Sequence, residues 1–214
     1  MHLPTFASLD DAGPGGLYDR WPWIHLVIGV LVIASAALTW PWAGEHPRWL
    51  WFLVLPVSIL TLHQWEEFGV PGGFVPWFNR QVYRSRNPDF PLSRKLAAAN
   101  HMSLLILLPL LAVLGSRWPF VGLGTLYGLM ADGMFHLTSA AAAGRYVPGV
   151  ITGALLYLPL GIIGTHRFVS SGEVSLAGLL LAASGGVLTL TVFLFLPTHY
   201  LAKRHPTRLE APPA

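Results

Sequence analysis

Residues 63 to 67 of this chain read His-Gln-Trp-Glu-Glu, and residues 132 to 136 read Asp-Gly-Met-Phe-His. Positions three or four apart share one face of a helix. His63, Glu66 and Glu67 therefore offer one imidazole and two carboxylates from a single turn, and Asp132 and His136 offer one of each. Imidazole and carboxylate donors together suit zinc, iron or manganese, and a carboxylate beside such an ion can move protons. Glu67, four residues after His63, is the preferred ligand. Glu66 is expected as general base or second ligand, and Asp132 as a ligand or catalytic carboxylate that completes or bridges the site. Asn100 and His101 point about 100° apart on a helix, so they are not expected to face one centre together. Asn100 is favoured in or beside the ligand set, with His101 left open. His199 is balanced between ligand and interfacial anchor.

The segments that carry these residues are membrane-like. Of 214 residues, 53% are apolar and 11% charged, and the mean hydropathy is +0.54; a soluble domain carries about 25% charged residues. An ordinary water-soluble domain is thereby excluded. A net charge of +3 forms no basic stripe, and no nucleic-acid partner is expected. The sequence has no Cys, which removes disulfides, thiolate metal sites and cysteine nucleophiles. Phosphate-binding Gly-rich loops, a Gly-x-Ser-x-Gly elbow and a His-Glu-x-x-His helix are also missing. Chemistry is left to His, carboxylates, amides and hydroxyls.

A helix needs about 20 apolar residues to cross hydrocarbon, and six stretches approach that length, at roughly 22–42, 49–68, 95–114, 118–141, 147–168 and 174–200. Continuous runs such as Leu104 to Leu114 argue for helices over barrel strands, which would alternate. The expected fold class is all-α: a polytopic membrane protein forming a six-transmembrane-helix bundle. Residues 1–21 would precede it, 22–201 would form it, and 202–214 would be a tail. Ala34-Ser35-Ala36 resembles a signal cleavage site. The acids Asp10, Asp11 and Asp19 before it, and the apolar run that continues past it, favour a retained span. Trp21, Trp23, Trp40, Trp42, Trp49, Trp51, Trp77 and Trp118 fall near span ends, where indole sits well. Alternate sides of the six spans carry ten basic residues (Arg20, Arg80, Arg84, Arg86, Arg94, Lys95, Arg145, Lys203, Arg204, Arg208) and three (Arg48, Arg117, Arg167). The positive-inside rule puts the ten, and both termini, in the cytoplasm.

Depth then follows from about 1.5 Å of rise per residue. His25, His63, Glu66, Glu67, Asn100, His101, Asp132, His136, Thr152, Thr198 and His199 collect toward the inner side, and His46 and His166 toward the outer. Glu66, Glu67 and Asp132 are the acids in or at the end of a span, and no Lys or Arg lies in a span interior. A charge at bilayer depth costs about 2.5 to 3.5 kcal/mol on insertion scales. Protonation, an arginine from the following loop or a cation would relieve it, and the surrounding imidazoles favour the cation: one or two divalent ions, zinc or iron. His25, beside Trp23, reads as interfacial, and Gly124 and Gly128 as a close-packing pair.

The stretch His63-Gln-Trp-Glu-Glu67, followed by Pro71-Gly-Gly-Phe74 and Trp77, resembles the signature of the HXXEE-motif family of mostly bacterial integral membrane proteins. Asn100, a polar residue four before His136, and Tyr146-Val-Pro-Gly149 are similar to that family's later landmarks. The resemblance spans residues from about 50 to 165. It implies a multi-pass protein of the bacterial inner membrane and names no reaction.

Two function classes lead, with a non-catalytic membrane scaffold as a third. The first is a membrane-embedded metalloenzyme near the cytoplasmic leaflet, a hydrolase with zinc or an oxidase with two irons, acting on a lipidic or apolar small molecule that enters between helices. The second is a transporter coupled to protons or divalent metal. Membrane lipids are expected partners, and the oligomeric state is open.

Overall fold

The computed structural model describes residues 17–39 and 48–210; the expectations attached to Asp10, Asp11, Trp40, Trp42 and His46 lie outside the described residues. Every described element is helical. Helix α1 is Leu17–Thr39. Helix α2 covers 50–69 as an α segment, Leu55–Gln64, between the π turns Leu50–Val54 and Trp65–Gly69. The short α3 is Phe74–Val82, α4 is Arg94–Arg117 and α5 is Pro119–Ala143. Helix α6 covers 150–170 with a π turn at Gly153–Tyr157. Helix α7, Leu176–Arg204, carries another at Thr191–Phe195, and α8 is Thr207–Glu210.

Local chemistry fixes these boundaries. Ser93 caps α4 by accepting from Leu96 N–H, and Ser175 caps α7 by accepting from Gly178 N–H, both at 3.2 Å. Pro119 starts α5, where its missing N–H is harmless, and Gly144 ends it in the left-handed region.

Six spans were expected; among the described residues, three helices are long and apolar enough to cross a membrane: Arg20–Leu38, Arg94–Arg117 and Leu176–Arg204. Their outward faces expose Val27, Leu31, Ile106, Val113, Leu181 and Val187. The other three expected spans, carried by α2, α5 and α6, are not among these helices; α2 holds His63, Glu66 and Glu67, and α5 holds Asp132 and His136.

Helix α5 lies at the middle. Gly128 and Gly186 let it approach α7 so closely that a Cβ on Gly186 would sit 2.6 Å from Gly128 N, the small-residue contact that the Gly124/Gly128 pair implies. Phe52, stacked on Phe168 at 4.8 Å, fills the core with Leu123, Leu126 and Tyr157. A second apolar cluster of Phe74, Val75, Phe78 and Leu92, with Phe135 against it, seats α3 beside the end of α2. Asn79 fastens the following loop: its amide donates to Pro88 O and Leu92 O, and its oxygen accepts from Leu92 N–H.

At the start of α2, far from the motif, Arg48 pairs with Glu173 at 2.7 Å and Arg167 reaches the same carboxylate at 3.2 Å. Partial burial works against ionisation of Glu173. Hydrogen bonds from Ser171 and Arg48 and the two guanidinium charges outweigh it and lower its pKa. A lowered folded-state pKa stabilises the fold above the ordinary carboxylate value and loses that effect as pH falls through the lowered one. Glu173→Gln should therefore lower thermal stability near neutral pH by about 0.5 to 1 kcal/mol, because the pair is partly exposed. Thermal unfolding in detergent should show the difference from wild type vanish in acid.

Candidate metal centre

The π turn that ends α2 holds both glutamates of the 63–67 stretch. Such turns insert a residue and recur at functional sites. Here the adjacent carboxylates diverge, Glu66 toward α6 and Glu67 toward α5.

Glu67 is buried, 3% exposed, with His63 at 1% and His136 at 0%. Its Oε1 lies 3.1 Å from His136 Nε2 and 3.7 Å from His63 Nε2. One ligand atom from each of the three residues lies within 4.8 Å of the others. Asp132 adds its two oxygens, Oδ2 at 3.3 Å from His63 Nε2 and Oδ1 at 3.7 Å from His136 Nε2, and keeps a side-chain exposure of 22%. Neither Nε2 has a hydrogen-bond partner among the described residues, although carboxylate oxygens stand this near. Two imidazole nitrogens and carboxylate oxygens thus surround one point.

Glu66 has a different role. Its Oε1 accepts from Tyr146 Oη and Ile151 N–H, both at 3.0 Å, and its Oε2 from Thr152 N–H at 2.8 Å and Thr152 Oγ1 at 2.6 Å. The carboxylate sits on the N-terminal turn of α6, whose unpaired N–H groups attract an anion. Four donors leave it no place among the ligands. Thr152 spends its single proton on Glu66, so its oxygen accepts from His63 Nδ1–H at 2.7 Å. That hydrogen bond leaves His63 Nε2 as the lone-pair nitrogen turned toward Glu67 and Asp132, an arrangement common to metal-ligating imidazoles. In the loop before α6, burial and the neighbouring Glu66 carboxylate raise the pKa of the Tyr146 phenol, which therefore stays a donor at neutral pH.

Gly149, at φ +93°, lies under both rings: a Cβ there would fall 2.6 Å from His136 Cε1 and 2.8 Å from His63 Cε1. Fully buried Tyr157 packs on His63 with centroids 4.4 Å apart, and its hydroxyl has no partner among the described residues.

Residues 54–163 match the family model described as "Protein of unknown function with HXXEE motif". This chain belongs to the HXXEE-motif family. No curated protein and no solved structure matches it. In the HXXEE motif of this chain, the His and the second Glu meet at the cluster, and the first Glu anchors α6.

The other expected residues divide. His101 turns toward the HXXEE cluster, its Nε2 4.0 Å from Glu67 Oε2. Asn100 instead donates to Phe193 O, inside the π turn of α7. His199 is exposed and does not join the cluster; its neighbour Thr198 faces inward, bonded to Tyr83 Oη and Leu194 O. Adjacent residues point about 100° apart, so only one of that pair can face in. Thr152, Tyr146, Gly149 and Tyr157 were not proposed for the site from sequence. The Tyr146-Val-Pro-Gly149 landmark was the available signal for two of them.

A cavity of about 90 Å³ reaches this centre. Glu67, Asp132, Asn100 and His101 line one end, and Leu104, Leu107, Leu108 and Leu111 continue it along α4 against Gly124 and Leu129 of α5 and Leu190 and Phe193 of α7. From Asn100 to Leu111 is about 16 Å of helix.

Proposed function

We propose that this protein is a membrane-embedded, metal-dependent enzyme that acts on a lipidic or apolar small molecule. His63, Glu67 and His136 hold a divalent transition metal, zinc or iron, and Asp132 completes the set. The observation that carries this reading is the convergence of three buried donors, Glu67 and two imidazoles whose Nε2 atoms lack hydrogen-bond partners among the described residues. Zinc–nitrogen and zinc–oxygen bonds of about 2.0 to 2.2 Å put two donors of one ion no more than about 4.4 Å apart, and the 3.1 and 3.7 Å separations comply. Such an ion supplies Lewis acidity for hydrolysis or, as iron, redox chemistry for oxidation.

The chain's own residues have distinct parts in this reading. Glu66, through Thr152, orients His63 and fixes its tautomer. Asp132, only partly buried at the polar end of the cavity, is the group placed to move a proton at the substrate. The leucine-lined length of the cavity excludes water and takes an apolar chain. The long helices α1, α2, α4, α5, α6 and α7 form a six-span bundle in a bacterial inner membrane, with both termini and the centre on the cytoplasmic side.

Elemental analysis of detergent-extracted protein tests the reading. Wild type should carry stoichiometric zinc or iron, and His136→Ala should lose it. Glu66→Gln should retain the site at about 10- to 100-fold lower affinity, as expected when the partner of a ligating histidine is weakened. Wild type without stoichiometric transition metal, before or after loading, overturns the reading.

A further inference from the structure

We infer that the substrate is a single-chain amphiphile with an uncharged oxygen head, such as a long-chain alcohol, whose chain enters from the bilayer between α4 and α7. The inference rests on the enzyme reading above and names the substrate class of the same site.

The cavity is a trough. Its floor is α5 at Gly124, Thr125, Gly128 and Leu129, and its walls are α4 and α7, two of the three helices apolar enough to cross a membrane. Leu107 and Leu111 on one wall and Leu190 and Phe193 on the other are only partly buried, while Leu110 and Val192 next to them are exposed. The trough therefore opens toward the side where lipid tails lie. Its polar end is closed, because Asn100 donates to Phe193 O and ties the walls together.

Shape selects one chain. Leu104, Leu107, Leu108 and Leu111 recur at i, i+3, i+4 and i+7, a single stripe of α4, so the lining is long and narrow, unlike a seat for a fused-ring or two-chain lipid. An extended hydrocarbon, with carbon–carbon bonds of about 1.5 Å near the tetrahedral angle, advances about 1.25 Å per carbon, and about 12 carbons cover the roughly 16 Å from Asn100 to Leu111. Charge selects the head. Glu67 and Asp132 line the polar end, and no Lys or Arg lines the cavity. One divalent ion offsets those two carboxylates and leaves no positive charge for a phosphate or carboxylate head. A hydroxyl needs none. His101 Nδ1 donates to Ala97 O at 2.7 Å, so in the neutral ring Nε2, at that end of the cavity, accepts the hydroxyl proton.

Two photoreactive dodecanols, with a diazirine at about carbon 4 or about carbon 11 of the chain, test the inference. Each is added to the full-length chain in phosphatidylcholine nanodiscs, labelled residues are mapped by mass spectrometry, and metal content is measured on the same sample. The first probe should label Leu104 or Leu129, and the second Leu111 or Gly124. Unlabelled dodecanol should displace both at concentrations about 10-fold or more below those needed for dodecanoate or dodecyl phosphate. Leu107→Trp, which fills the trough, should lose the far label by about 10-fold, whereas Val113→Trp, on the exposed face of α4, should keep it. Label confined to outward residues such as Ile106 and Val113, no order between the two probes, or equal displacement by the anionic heads overturns the inference; if that sample carries metal, the metal reading stands. Ordered labelling of a metal-free sample supports the seat and overturns the metal reading instead. The wild-type map decides even if a variant fails to fold.

Discussion

Glu67→Gln removes metal binding while leaving the metal-free protein as stable as wild type, or more so. Gln has nearly the shape of Glu and keeps one oxygen, but it brings no negative charge and puts two N–H donors where lone pairs are needed. In the metal-free wild type the carboxylate is 3% exposed in an apolar bundle. The nearest candidate partners are the imidazoles of His63 and His136 and, at 4.0 Å, His101. Desolvating it without a cation is costly, and Gln avoids that cost. The ion reverses the order. A ligand that binds only the folded state adds about 2.7 kcal/mol at a hundredfold excess over its Kd, and wild type alone should gain it. Thermal unfolding of both proteins, with chelator and with zinc or iron, gives the four values needed. Loss of stability in the variant under chelator would make Glu67 a structural residue. A zinc- or iron-dependent rise equal in both proteins would remove it from the ligand set.

The helix spacing made much of the centre legible. His63 and Glu67, and Asp132 and His136, are i,i+4 pairs, and local geometry alone puts each pair on one face. What spacing does not reveal is which neighbour an adjacent residue meets. Glu66 is one residue from Glu67, yet its partners come from the first turn of α6, 85 and 86 positions along the chain. Asn100, favoured in or beside the ligand set, turns its amide to Phe193 O because the π turn in α7 offers that carbonyl, while His101, left open, faces Glu67. His25 was read from its place near a helix start beside Trp23. Its burial comes from α1 lying close along α2, where a Cβ on Gly29 would collide with Thr61 Oγ1. The fold follows the same division: the helical class was plain from continuous apolar runs. The count of membrane crossings follows less directly: of the six apolar stretches, those in α2, α5 and α6 fall outside the helices apolar enough to cross.

Gly149→Ala is expected to disable the centre without replacing any ligand. Two effects combine there. At φ +93° and ψ −10° a side chain is strained, at a cost of about 1 to 3 kcal/mol. The added methyl would also stand 2.6 Å from His136 Cε1, 2.8 Å from His136 Nδ1 and 2.8 Å from His63 Cε1, well inside contact distance. Both rings would have to move, in a core where Tyr157 and Phe74 already pack against them. Moving two of the three donors of a centre whose atoms lie within 4.8 Å should weaken metal binding by at least the 10- to 100-fold seen when the support of a ligating histidine is lost. Gly144→Ala separates the two effects. Gly144 also has a positive φ, +61°, but nothing lies within 4 Å of its Cβ position. It should lose stability to backbone strain and keep its metal. Metal titrations on the two variants, with thermal unfolding beside them, should therefore show a loss of stability in both in the absence of metal, larger in Gly149→Ala where the clash adds to strain, and loss of affinity in Gly149→Ala alone. Equal affinities would mean that the loop before α6 does not hold the imidazoles in place.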